Sequence, residues 1–480
     1  MMMFIDREAE IASLNAILKR RGAQFIVVNG RRRVGKTTLL IEWAKRSGLP
    51  YLYWVAAREA SPLLLRTFSQ AIHNHRQVDQ QADPLFTYPT WEMALQESAS
   101  LAQHNRLILI IDEFPYLTEA NQAIPSLLQN SWDHPFKSTE IVLVVAGSQI
   151  GMMVDMLGYR APLYGRATAQ LGLKPLPYRT INQFFPNYSA EQCVAIYAML
   201  GGIPAYLEKF DDSISLGANV REQILSTTSI FQHEPMFLLQ DEVREPANYL
   251  AVIRAIGEGA HTLEDISLHS GLAKNHTSTY LARLQELTFV ERQVPATLPK
   301  GKRTTQGRYV LTDAYLRFYF RFLAPNRILL EQGLHNRLWE LISDGLRAFV
   351  GQTAFEEICR TWVIEQAVAG HLPFLPDIVG RHWSSDCEID VVAIHWTKRK
   401  VILGECKWGA NDVGLDVVRS LIEERGPRAL QRLKGEGWEV HYLFFARVGF
   451  TDPAREYAEA AGARLLTLDR IDADMKTIAG

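Results

Sequence analysis

QFIVVNGRRRVGKTTLLIEWAKR, residues 24–46, decides the reading of the fold. A short apolar strand, Gln24–Asn29, runs into the loop Gly30-Arg31-Arg32-Arg33-Val34-Gly35-Lys36-Thr37, which opens a helix expected over about 36–46. In a loop of this kind the backbone N–H groups curl around phosphate oxygens, and the helix N-terminus adds the positive end of its dipole. Lys36 would reach the β- and γ-phosphates, and the Thr37 hydroxyl would bind Mg²⁺. Gly30, Arg33, Val34, Gly35, Lys36, Thr37 and Thr38 are therefore the nucleotide-binding candidates, with ATP and Mg²⁺ as the expected ligands.

Working outward, residues 6–21 carry an apolar helical period at Ile11, Leu14, Ile17 and Leu18, with Asp6 as the expected N-cap. Tyr51–Val55 reads as a second strand and Trp91–Gln103 as a helix. Leu107–Ile111 is a fully apolar strand ending at Asp112-Glu113, and Ile141–Ala146 is another running into Gly147-Ser148. Strands alternating with helices predict a three-layer α/β domain around a parallel sheet. Asp112 at a strand end suits Mg²⁺ held through water, and Glu113 beside it suits polarising the attacking water. Ser148 would hydrogen-bond the γ-phosphate or that water. Arg166, in Pro162-Leu163-Tyr164-Gly165-Arg166, is either a finger stabilising charge on the transferred phosphoryl group or a salt-bridged arginine. A finger acting in trans would require oligomerisation.

At 480 residues the chain exceeds one ordinary core, so several domains are expected. Hydrophobic residues at 47% and charged residues at 22% are ordinary globular values that argue against long disorder. A net charge of −2 leaves any nucleic-acid contact to a local patch. Cys193, Cys359, Cys387 and Cys406 lie far apart without ligand spacing, which fits a reducing compartment and gives no sign of zinc. The first residues are charged too early for a signal-peptide core, and no apolar run approaches the ~20 residues of a membrane span. The expected location is the cytoplasm, with no membrane partner.

The second half changes character. Residues 181–245 read as short helices around Gly201-Gly202-Ile203-Pro204. Helices at 249–257, 262–269 and 274–287, then a hairpin pairing Val290–Val294 with Gly307–Leu311, follow the order of a winged helix. The helix opening Lys274-Asn275-His276-Thr277 and the basic loop Lys300–Arg308 suit DNA contact, although such modules also serve as relays. An aromatic, Arg-rich stretch over 313–340 looks like a connector.

Farther on, Asp390 in EIDVVAIHW and Glu405 and Lys407 in VILGECKW lie on two strands joined by the turn Thr397–Lys400. Strand alternation puts Glu405 and Lys407 on one face with Cys406 on the other, and Asp390 reaches that face from the neighbouring strand. Two carboxylates there would hold Mg²⁺, with the lysine beside it for attack on a phosphodiester. Glu357, on a preceding helix, is the candidate third carboxylate.

FIDREAEIASL, GRRRVGKTTLL, LILIIDEF, GSQIGMM, PLYGR and GGIPAYL together resemble the archaeal-type ATPases of bacteria and archaea, in the AAA+/STAND group of P-loop NTPases. The resemblance extends over nearly the whole chain, including a winged helix and the C-terminal region called DUF234. It implies an ATP switch with a helical lid, with Arg7 and Glu8 near the adenine and Gly202 and Pro204 in the lid. The C-terminal constellation is similar to the PD-(D/E)xK nuclease superfamily. The expected organisation is a multidomain α/β protein: a P-loop ATPase core over 1–180, a helical lid over 181–245, a winged helix over 246–312, a connector over 313–343, and a restriction-endonuclease-like α/β domain over 344–480. The function this implies is an ATP-hydrolysing switch coupled to a metal-dependent nuclease acting on nucleic acid, DNA more than RNA. The alternative is an ATP-dependent DNA-binding regulator or interaction scaffold whose nuclease-like domain is silent.

Overall fold

In a computed structural model, residues 4–77, 79–240, 242–243, 245–299 and 304–478 are described. The chain forms two compact units. The first comprises Met1–Leu176, Ile203–Ala205 and Gln240–Arg244, and the second Pro177–Gly202, Tyr206–Leu239 and Glu245–Gly480.

The apolar runs of the first unit become a parallel sheet of β1 (Gln24–Gly30), β2 (Tyr51–Val55), β3 (Leu107–Asp112), β4 (Ile141–Gly147) and β5 (Ala169–Leu173). Their order is β2-β3-β4-β1-β5. Every residue of β3 and β4 is buried, as a strand covered on both faces by helices requires. β5 has no such run: Ala169-Gln170-Leu171-Gly172-Leu173 is a partly exposed edge, which is why the sequence gives little sign of it. One face of the sheet builds a core around Phe25, Trp54, Phe68, Trp91 and Trp132. The Trp54 and Phe68 rings lie 5.0 Å apart, and Phe68 and Trp91 5.8 Å.

Helix Trp91–Ser100 starts where Thr90 accepts the Met93 N–H. The first helix departs from expectation. It begins at Glu8, its N-cap is Arg7 in a left-handed conformation (φ 78°), and no side chain caps it. Asp6, at φ 57°, is likewise left-handed and does not cap the helix.

In the second unit, helix Ala190–Leu200 opens with a reciprocal capping box between Ser189 and Gln192. Helices Pro246–Gly257, Leu263–Ser270 and Lys274–Glu286 lead into the antiparallel pair β6 (Val290–Gln293) and β7 (Arg308–Leu311). Residues 300–303 of the expected basic loop lie outside the described residues.

The first part of the stretch read as a connector contributes to the core. Tyr315, Phe318, Phe320 and Phe322 are buried, and the Tyr315 hydroxyl donates to the Phe231 carbonyl at 2.5 Å. Tyr206, Phe231 and Tyr315 form one ring cluster. The aromatic side of this amphipathic stretch is thus interior.

The remaining strands are β8 (Ile378–Trp383), β9 (Glu388–His395), β10 (Lys400–Lys407), β11 (Glu439–Ala446) and β12 (Arg464–Thr467), in the order β12-β11-β10-β9-β8. β8, β9 and β10 pair antiparallel, and β10, β11 and β12 parallel. The expected hairpin is present, with Lys400 opposite His395. Ile389, Val392, Ile394, Leu403 and Phe444 belong to its core. Among the described residues no helix is long and apolar enough to cross a membrane.

Phe231 is fully buried between two tyrosine rings, each with its centroid 5.1 Å or 5.1 Å away. Phe231→Ala should therefore cost about 3–5 kcal/mol in a chemical denaturation series. A loss below about 1 kcal/mol would show that this cluster is not a structural core.

Candidate functional sites

The tips of β1, β3 and β4 are adjacent because β4 lies between the other two, so the glycine loop, Asp112-Glu113 and Ser148 meet at one sheet edge. Gly30 is required by proximity: a Cβ there would stand 2.6 Å from the Leu173 carbonyl oxygen. Arg33 (φ 68°) and Gly35 (φ 94°) are both left-handed, a backbone that turns N–H groups into a concave anion cradle. A positive φ is strained for an arginine, which marks a geometry imposed by its surroundings. Val34 is fully buried beneath the loop, and Thr38 is half-buried on the helix behind it.

Lys36 donates to the carbonyls of Gly30 (2.8 Å) and Arg31 (3.2 Å), bracing the loop from inside. Burial lowers its pKa, against the opposing pull of Glu113 and Asp112. The Thr37 hydroxyl donates to Asp112 Oδ2 at 2.7 Å, the Tyr53 hydroxyl donates to the same oxygen at 2.9 Å, and the Glu113 N–H donates to Oδ1 at 2.9 Å. Tyr53, absent from the sequence reading, sits opposite Ile110 on the neighbouring strand; only the register brings it here. Its phenol pKa is raised, first by burial and then by Asp112. Thr37 and Asp112 are the residues that fit a Mg²⁺ ion, because an oxygen pair already at hydrogen-bond distance needs little rearrangement to share a cation.

Glu113 holds a left-handed backbone (φ 51°), and its carboxylate accepts the Ser148 hydroxyl at 2.8 Å. Ser148 therefore touches the expected water-polarising group. Arg7 is buried and donates to the carbonyls of Val34 (3.0 Å) and Lys174 (2.8 Å), so it fixes the rear of the loop. Two further residues join this edge. Pro204 approaches Gly35, and the Glu242 carboxylate accepts the N–H groups of Ile150 (2.9 Å) and Gly151 (3.2 Å) and acts electrostatically on Lys36.

Arg166 corrects the finger expectation. Its Nε and Nη2 grip one oxygen of Asp133 (3.0 and 2.6 Å), and Nη1 donates to the carbonyls of Pro162 and Tyr164. Asp133's carboxyl is held below its ordinary range by this hydrogen bond. The guanidinium is committed to closing the 162–166 turn, and the salt-bridged alternative is the one observed.

In the second unit, Asp390 on β9 accepts the Cys406 N–H at 2.9 Å across the hairpin, bringing it beside Glu405. Glu405 is almost wholly buried, with Lys407 Nζ at 2.7 Å on one oxygen and Arg425 Nη1 at 2.7 Å on the other. Asp390 has no such pairing. Burial, then the negative charges of Glu405 and Glu356, push its carboxyl up to about 7. Burial alone would lower the Lys407 pKa, but the charge and hydrogen bond of Glu405 raise it, so this lysine holds its proton.

The helix carboxylate that acts on Asp390 is Glu356, next to the expected Glu357. It carries Arg360 at 3.3 Å and Arg381 at 3.9 Å. Glu357 instead pairs with Arg317 at 3.4 Å and lies beside Tyr197. Cys406 faces away from Glu405, as alternation requires, and meets Cys359. Asp390 and Glu405 are the carboxylates that would hold a divalent cation here, although both Glu405 oxygens are already paired with cationic side chains. Among the described residues, no three acidic, His or Cys side chains converge as a metal cluster.

Residues before the expected basic loop and in its described part are docked onto β8. The Ala296 N–H donates to the Arg381 carbonyl (2.9 Å), Thr297 pairs with His382 (2.8 Å), and Trp383 Nε1 donates to the Gln306 carbonyl (3.0 Å). Arg308 lies over the Trp383 ring and bridges to Glu388 at 3.3 Å.

Comparison with known proteins follows this division. Residues 4–210 match the family described as an ATPase domain predominantly from Archaea, and residues 319–416 match DUF234, archaeal and bacterial proteins of unknown function. An uncharacterized protein of Methanocaldococcus jannaschii is 33% identical over 410 residues, covering 85% of this chain and 88% of the relative. Among solved structures, a Walker-type ATPase of Pyrococcus abyssi superposes with a TM-score of 0.51 at 17% identity, over 66% of this chain and 96% of that one. The ORC2 protein of Aeropyrum pernix gives a TM-score of 0.42 at 14% identity, over 71% and 94%. With the glycine loop, its Thr37–Asp112 pair and this end-to-end likeness together, the chain belongs to the archaeal-type P-loop ATPases that carry a DUF234 region.

Proposed function

We propose that the chain is an ATP-hydrolysing switch of the AAA+/STAND type, joined to a metal-dependent PD-(D/E)xK nuclease-like domain that acts on nucleic acid. The observation carrying this reading is the pair of separate phosphate-chemistry constellations, Lys36-Thr37-Asp112-Glu113 and Asp390-Glu405-Lys407. In the first, Lys36 would exchange its loop carbonyls for phosphate oxygens, and the Arg33–Gly35 backbone would donate to them. Mg²⁺ held by Thr37 and Asp112 would supply charge neutralisation at the β- and γ-phosphates. Glu113, once released from Ser148, would accept a hydrogen bond from the attacking water and orient it.

In the second, Asp390 and Glu405 would hold a divalent cation with Glu356 nearby, and the cation would supply Lewis-acid activation of the phosphodiester. The protonated Lys407 suits stabilising negative charge on the phosphate more than abstracting a proton. The three helices and the β6–β7 pair are read as a winged helix. With its loop ends bound to β8, its part is closer to a relay toward the nuclease-like domain than to an independent DNA reader.

A second reading, a catalytically silent domain in an ATP-dependent regulator, is favoured by the closed pairing of Glu405 with Lys407 and Arg425. Mg²⁺-dependent cleavage of DNA and RNA substrates, with and without ATP, separates the two. Wild type should cleave and Glu405→Ala, Lys407→Ala should not; silence of the wild type across substrates and nucleotides would establish the regulator.

Lys36→Ala should abolish tight ATP binding in calorimetry while the second unit keeps its melting transition. Wild-type ATP turnover in that variant would sink the ATPase assignment. Glu113→Gln should slow turnover by roughly 10²-fold or more with ATP binding retained. Near-normal turnover would remove Glu113 from the chemistry.

Asp390 gives a pH test. Its folded-state value of about 7 exceeds the ordinary 3.8, so between these the folded protein holds a proton that the unfolded chain has released. Stability then falls as pH rises through that window. Asp390→Asn should remove this decline, gaining on wild type in denaturant midpoint between about pH 4 and pH 8. A difference that does not vary with pH would show that Asp390 ionises normally.

A further inference from the structure

Two cavities of the second unit meet at the acidic residues. One, of about 800 Å³, is walled by β6, β7, the end of helix Pro246–Gly257 and residues 317–321, and it reaches Glu356, Glu388 and Asp390. The other, of about 390 Å³, reaches the same three acids from the side of Glu405 and Lys407. Each carries cations beyond the acids: Arg308, Arg317 and Arg321 line the larger, and Arg347, Lys407 and Arg425 the smaller. Arg317 has a buried Nε without a hydrogen-bond partner, while its Nη2 pairs with Glu357 at 3.4 Å.

From this arrangement we infer that the site takes a single polynucleotide strand, threaded past Asp390 with backbone phosphates held on both sides. The inference rests on reading Asp390 and Glu405 as a phosphodiester site. Cations flanking the acids on two sides suit a polyanion that continues in both directions, whereas one small anion needs only one set. The size of the cavities suits a strand better than a duplex. A cavity of about 800 Å³ lies within the ~300–1,000 Å³ of pockets that enclose a drug-sized ligand, the bulk of a few nucleotides.

The wall is also fastened. Ala296, Gln306 and Arg308 tie the β6–β7 segment to Arg381, Trp383 and Glu388 on the sheet, directly beside the acids. That wall narrows the approach to Asp390 from the side of the larger cavity. A lone strand, flexible and narrower, enters lengthwise.

The test uses the full-length protein and fluorescent strands of about ten nucleotides, in DNA and RNA versions, beside a blunt duplex of the same sequence with covalently closed ends. Binding is measured with Ca²⁺ in place of Mg²⁺, and cleavage with Mg²⁺. The strand should bind roughly tenfold or more tighter than the closed duplex. Arg321→Glu and Arg347→Glu, one in each cavity, should each weaken strand binding by roughly tenfold, with melting temperatures checking that both variants fold. The DNA and RNA arms identify which strand is preferred.

Duplex binding as tight as strand binding, or strand binding indifferent to both arginine variants, overturns the inference. Strand binding with no cleavage supports it and sinks the nuclease reading alone. Cleavage within closed duplex as fast as in the strand does the reverse.

Discussion

A parallel sheet buried on both faces has one place to put polar chemistry, the carboxyl ends of its strands. That constraint organises the first unit. β3 and β4 are buried along their whole length, so Asp112, Glu113 and Ser148 are displaced to their ends. β4 lies between β1 and β3, which brings those ends to the glycine loop. Register adds Tyr53 from β2 without any motif to announce it. The strained backbones of Arg33 and Glu113 are both at this edge, where geometry is set by neighbours rather than by local preference.

Three carboxylates show how the environment divides their roles. Asp112 is buried, yet it accepts hydrogen bonds from Thr37, Tyr53 and its own neighbour's N–H, so its charge is solvated by the protein. Glu405 is as deeply buried and is compensated by two cations. Such a pairing is an arrangement of charge more than a source of stability, because desolvation offsets most of the attraction. Asp390 has one backbone N–H and two like-charged neighbours. Its pKa is raised first by burial and then by those two charges, the excess that a cation would neutralise. Lys407 stays protonated because Glu405 requires it, which ties the lysine's chemistry to the state of the carboxylate.

The glycine loop, the strands β1 to β4 and the β9–β10 hairpin were legible because each rests on a short-range pattern. A loop between an apolar strand and a helix is local, and so is the period of two that puts Glu405 and Lys407 on one face. β5 was missed because an edge strand needs no continuous apolar run. Within the 313–340 stretch, amphipathicity did not say what its aromatic side packs against. Its aromatic residues meet Tyr206 and Phe231, more than eighty positions away in sequence for the Tyr315–Phe231 bond.

Two of the expected site residues, Glu357 and Arg166, are paired elsewhere. Glu356 and Glu357 are adjacent on a helix, about 100° apart in direction, and only the position of β9 decides which of them meets Asp390. Arg166 looked like a catalytic cation because it follows a glycine turn, but Asp133, on a distant helix, claims it. The basic loop looked like a phosphate-binding wing because charge in a loop is ordinarily solvated. Residues 300–303 lie outside the described residues, while Ala296 and Thr297 before the loop and Gln306 within it meet β8 through backbone and hydroxyl groups. In each case the residue type was right for chemistry and the partner was non-local. Charge pattern alone identifies what a side chain can do; the partner it finds in the fold decides whether it remains available to do it.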